Sequence, residues 1–98
     1  MEIKKNQYYI VRCDRSGVFF GKITERNGQE VTMSDVRNIY YWDGAATIRQ
    51  LAAEGTTKPK ECKFTMAVDE ILLLDAIEII SCTETAVSSI KGVKEWKM

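Results

Sequence analysis

The sequence predicts a small, mainly β (α+β) domain, built as a five-stranded curled sheet or small barrel with two short helices. Three observations carry that expectation. Runs rich in aromatic and β-branched residues recur between turn signals, at residues 8–13, 18–25, 29–41, 63–68 and 71–82. Apolar residues at helical spacing follow Asp43, and again follow Thr83. The chain has 98 residues, 45% of them hydrophobic, which suits one domain with one modest core.

Taken in order, Met1 to Gln7 is polar and expected to fray. Tyr8 to Cys13 reads as the first strand, and Asp14-Arg15-Ser16-Gly17 has turn chemistry. Val18–Glu25 and Gln29–Tyr41 form a hairpin around Asn27-Gly28. A three-residue Arg26-Asn27-Gly28 loop is expected there. It sets Ile23 opposite Val31 and Gly21 opposite Met33, with Lys22–Thr32 and Thr24–Glu30 on the other face, so one face is apolar and one polar. Asp43 is the expected cap of the helix after strand 3, with Ala45, Ile48, Leu51 and Ala52 inward and Gly55 as its stop. Lys63–Val68 and Ile71–Cys82 are the last two strands. The second is apolar on both faces, which points to a central strand or one facing an oligomer partner. Thr83 caps a C-terminal helix over 84–91, closed by Gly92, and the alternating tail Val93–Met98 is a candidate edge strand. By analogy, this order fits an SH3-like or Sm-like barrel.

Composition narrows the chemistry. There is no histidine, so Ser-His and Cys-His pairs and histidine metal sites are excluded, and three scattered cysteines make a poor zinc site. No cofactor is implied. Asp69 with Glu70, and Asp75 with Glu78, are the nearest acidic sets; the latter point to opposite faces if they share a strand. Cys82 beside a helix start has a route to a lowered pKa, set against the commoner buried thiol. Cys13, Cys62 and Cys82 follow no secretory signal, so reduced thiols in the cytoplasm are expected. The longest apolar run, Ile71–Leu74, is too short to span a bilayer. Formal net charge is zero, which counts against nucleic acid as a partner. All five arginines nevertheless lie in residues 1–50, where an anion would find forked partners.

Two stretches are candidate binding sites. Tyr41, Trp42 and Asp43 lie at the switch from strand to helix, with Arg49 close behind. Rings stack on bases, helix amides attract anions, and arginine pairs with phosphate. The alternative is that Tyr41 and Trp42 anchor the helix to the sheet while Asp43 only caps it. Arg12, Arg15 and Ser16, in and beside the first turn, form the second candidate; the alternative there is an ordinary solvated turn.

The chain also resembles a family of small domains of unknown function encoded mainly by bacteriophages and prophages. The likeness rests above all on Tyr41-Trp42-Asp43-Gly44-Ala45-Ala46-Thr47, followed by Gln50-Leu51-Ala52 and Gly55. It also includes Tyr9–Arg12, Ser16–Phe19, Asn27-Gly28, Pro59, Cys62–Phe64, Glu78-Ile79, Cys82-Thr83, Ser89-Ile90 and Trp96. The resemblance brings no catalytic residues. It implies a bacterial cytoplasmic setting and an accessory protein that works by binding rather than turnover. The first expectation is a homo-oligomer sequestering a small anionic, nucleotide-like defence signal. The second is a module that docks on a host or phage protein through an apolar edge around Ile71 to Ile80. A nucleic-acid accessory barrel is the third.

Overall fold

The computed structural model describes residues 1–98. Six strands and two helices follow one another: β1 Tyr8–Cys13, β2 Val18–Asn27, β3 Glu30–Tyr41, α1 Ile48–Glu54, β4 Lys63–Phe64, β5 Val68–Leu73, β6 Ala76–Ser81 and α2 Glu84–Gly92. A single 3-10 turn, Pro59–Glu61, lies between α1 and β4. The domain is mainly β, as expected, and its curled antiparallel sheet does not close into a barrel.

Strand β3 is the spine. One of its edges pairs with β2; the other pairs with β5 over Val31–Val36 and with β4 over Ile39–Tyr41. Strand β1 pairs with β2, and β6 with β1. Alternation along β1 shows why both faces of the sheet are filled. Tyr8 and Ile10 join one apolar cluster with Phe20, Phe64 and the inward faces of α1 and α2. Tyr9, Val11 and Cys13 join a second with Ile23, Val31, Met33 and Leu73, inside the curl.

The sheet has six strands rather than five because residues 71–82 are not one strand. The chain turns at Leu74-Asp75 and changes neighbour, leaving β3 for β1. Apolar residues on both faces therefore reflect a change of partner along the segment. Of the stretch 63–68, only Lys63–Phe64 forms β4 while Val68 opens β5, and the tail adds no strand, only one parallel bridge between Phe64 and Glu95.

The hairpin also differs from the expected register. Asn27 faces Glu30, so Gly28-Gln29 is the loop, and Ile23 faces Met33 instead of Val31. The register shifts between Ile23 and Glu25, so the extra residue Thr24 bulges out. That bulge lets a tighter loop coexist with two apolar side chains meeting on the buried face. A second shift places Asp35 at φ 49, the one non-glycine residue in the left-handed region. Gly21 lies beneath it; a Cβ there would be 2.9 Å from the Ser34 carbonyl oxygen and 2.9 Å from the Val36 Cα. The slip re-phases β3, so that Val31 and Met33 are followed into the same cluster by Val36.

Behind that bulge lies Arg37, the one charged residue that is buried, at 6% exposure. Its guanidinium donates to the carbonyls of Thr65 (2.8 Å), Ile90 (2.7 Å) and Phe64 (3.1 Å), tying β3 to β4 and to the end of α2. Helix α2 starts as predicted, with Thr83 Oγ1 accepting from Ala86 N–H at 3.1 Å. Helix α1 does not. Its cap is Thr47, whose Oγ1 accepts from Gln50 N–H at 3.1 Å, and Asp43 lies a turn upstream. Gly55, at φ 79, ends α1 as expected.

Candidate functional site

The residues between β3 and α1 form a lock, and Asp43 also lines an open cavity of about 470 Å³ with residues 57–61. Trp42 packs against the helix-side cluster and donates its indole N–H to the Ala45 carbonyl at 3.2 Å, so its polar edge is used within its own turn. Asp43 accepts the Gly44 N–H at 2.7 Å on its own carboxylate, and its carbonyl accepts the Thr56 hydroxyl at 2.6 Å. Gly44 accepts from Thr57 N–H at 3.2 Å. The motif thereby staples the entry of α1 to the loop that leaves it. Trp42 is an anchor; Tyr41, half exposed, is the member of the group that faces solvent.

The arginines lie elsewhere. Arg12 Nε and an Arg49 amino group both pair with Glu78 on β6, at 2.8 Å and 3.0 Å. These contacts bring together two of the predicted residues from β1 and α1, but each already has a carboxylate. Such exposed pairs contribute only about 0–1 kcal/mol each. At the β1–β2 turn, Arg15 N–H and the Ser16 hydroxyl donate to the Asp75 carboxylate at 2.7 Å and 2.9 Å. Those bonds hold Asp75 below the usual carboxylate range. The turn is thus pinned to the β5–β6 corner, while the Arg15 side chain remains exposed. The contacts divide the seven predicted residues among three places.

Thiol chemistry is placed out of reach. Cys13, Cys62 and Cys82 are all free and buried. Burial pushes Cys82 up to about 12, outweighing any effect of the following helix start. A further polar cluster joins Tyr8, whose hydroxyl donates to Asp35, and Lys91, whose ammonium lies 4.3 Å from the Tyr8 ring centre. Burial, then the bond to Asp35, raises the Tyr8 pKa. The sequence reading missed this cluster, although the break in alternation between Met33 and Val36 marks where its bulge falls.

Two exposed surfaces stand out. The Tyr40 and Trp96 rings stack at 4.8 Å, with the Lys63 ammonium 5.4 Å from the Trp96 ring centre. Tyr40 is 64% exposed and Trp96 44%. Nothing in the sequence shows that the C-terminal tail folds back to β3, which is what brings Trp96 to Tyr40 and Lys63. The second surface is the β5–β6 corner, where Leu72 (56% exposed), Leu74 (65%) and Ile77 (45%) face solvent. Beside it lies a shallow cavity of about 600 Å³, lined by Arg15, Ser16, Phe19 and residues 71–75. No helix is long and apolar enough to cross a membrane.

The chain matches the family model described as "Domain of unknown function (DUF6948)" over residues 6–90, and it belongs to that family. No curated protein and no solved structure matches it.

Proposed function

We propose that this protein is a non-enzymatic interaction module whose docking face is the β5–β6 corner, acting in the phage-infected bacterial cytoplasm that its resemblance implies. The observation that carries this reading is the group of exposed aliphatic side chains Leu72, Leu74 and Ile77 on and beside a strand with one unpaired edge. Such side chains leave about half of their surface in water in the free chain, and covering it contributes roughly 1–2 kcal/mol per leucine to a complex. Tagged protein recovered from producing cells should carry a stoichiometric protein partner, either another copy or a different chain. Replacing both Leu72 and Leu74 by glutamate should weaken that complex by at least about 100-fold while leaving the fold intact. Recovery of the wild-type chain alone would sink the reading.

A second reading, sequestration of a small nucleotide-like anion, is favoured by the Tyr40–Trp96 stack with Lys63 beside it. Aromatic faces accept bases, and the ammonium suits a phosphate. Titrating a panel of signalling nucleotides should quench tryptophan fluorescence in the wild type, and the response should disappear in Trp96→Ala, which retains Trp42. An unchanged signal across the panel in the wild type removes this reading.

A further inference from the structure

We infer that the occupant of the β5 edge is a second copy of this chain, paired antiparallel about a two-fold axis through β5. This rests on the reading of the β5–β6 corner as a docking face and names its partner. Strand β5 is bonded along one edge only, to β3. On the other edge, alternate residues turn N–H and C=O groups outward, where they can template a further strand.

What singles out a like strand is the distribution of charge along β5. Its N-terminal half carries Asp69 and Glu70, and its C-terminal half is Ile71-Leu72-Leu73, followed by Leu74. Arg15 lines the cavity beside residues 71–75, at the C-terminal end, and its side chain is exposed. Antiparallel pairing lays the acidic end of one copy along the apolar, arginine-bearing end of the other. With the axis at Ile71, Asp69 of each copy faces Leu73 of the other, Glu70 faces Leu72, and Val68 faces Leu74. No acid then faces an acid, and two Arg15–acid approaches form at once. A parallel pairing would set Asp69 and Glu70 beside their equivalents, with like charges adjacent. Val68, Leu72 and Leu74 from both copies would share one face, with each Glu70 between them against the partner's Leu72, a self-complementary patch of the kind a two-fold interface requires. A strand this short makes a small interface, so a dimer that dissociates on dilution is expected.

The test uses the purified full chain alone. Sedimentation across a dilution series should show a particle of twice the chain mass that dissociates to the single chain. Leu72→Glu, at a solvent-facing position and opposite Glu70 of the other copy, should give the single chain at every concentration, with the thermal melt of the wild type diluted to its single chain. Arg15→Glu should weaken the dimer by about tenfold, and adding Asp69→Lys in the same chain should restore it, because the exchanged charges meet again across the axis. A wild type that stays a single chain overturns the inference, as does a dimer that survives Leu72→Glu or a charge exchange that fails to restore association. The first of these leaves the docking face standing if the chain still brings a different protein from cells. Recovery of no protein at all removes both.

Discussion

Replacing Arg37 by alanine is expected to destabilise the domain by about 2 kcal/mol. The Arg37 guanidinium serves three carbonyls; those of Ile90 and Phe64 keep the N–H groups of Val93 and Trp96, but that of Thr65 is left without a donor, which costs about 1–3 kcal/mol. Relief from burying a charge offsets part of that cost, since burial, opposed by the charge of Glu95, already pulls the Arg37 pKa down. Urea unfolding should show the loss as a lower midpoint with little change in slope. Arg37→Lys should recover little of it, because one ammonium cannot reproduce the planar fork that reaches Phe64, Thr65 and Ile90 together. A loss under about 1 kcal/mol would mean that solvent takes over the carbonyls and that the clamp is not needed.

Gly44→Ala should cost about 2–4 kcal/mol. Gly44 has φ 81, where a side chain is strained by about 1–2 kcal/mol. An added Cβ would also lie 2.5 Å from the Lys58 backbone nitrogen and 2.5 Å from Thr56 Oγ1. Backbone cannot yield there without loosening the bonds from Thr56 and Thr57 to Asp43 and Gly44. For a domain of this size, a 1 kcal/mol loss lowers the melting temperature by roughly 4–8 °C, so the shift is easily read by circular dichroism. By contrast, Gly28→Ala meets nothing within 4 Å and should cost only the strain of its φ of 64. If the two variants melt alike, the region after β3 is not a lock.

That contrast shows where the sequence was legible. Alternation placed β1, β2 and β3, and capping residues placed α2, because those signals are local and tertiary structure did not override them. Asp43 misled because a good capping residue stood before a helical pattern. Thr47, four residues on, has the geometry for the cap, and the Asp43 carboxylate turned to the adjacent N–H. The division of residues 71–82 escaped because no glycine or proline marks the corner. Asp75 makes it by accepting hydrogen bonds from a turn sixty residues earlier. The predicted binding residues were chosen for their chemistry, and most prove to have internal partners: Trp42 with Ala45, Arg12 and Arg49 with Glu78, Ser16 with Asp75. Only the Arg15 side chain and Tyr41 keep their chemistry free, and Arg15 lines the cavity beside the exposed leucines.

The three partners of β3 also imply an order of assembly. Its pairing with β2 closes through Gly28-Gln29 and needs almost no loop entropy. Its pairing with β5 must wait for the intervening helix and loop. The β1–β6 ladder joins residues near opposite ends of the chain, Tyr9 with Ser81, and closes the longest loop of all. The hairpin therefore nucleates and β6 is added late. Until β6 docks, the newly folded sheet presents β1 as an open edge beside the unpaired edge of β5. A chain that has just reached this stage meets its neighbours with two ready templates, and the speed with which β6 arrives decides between folding and misassociation.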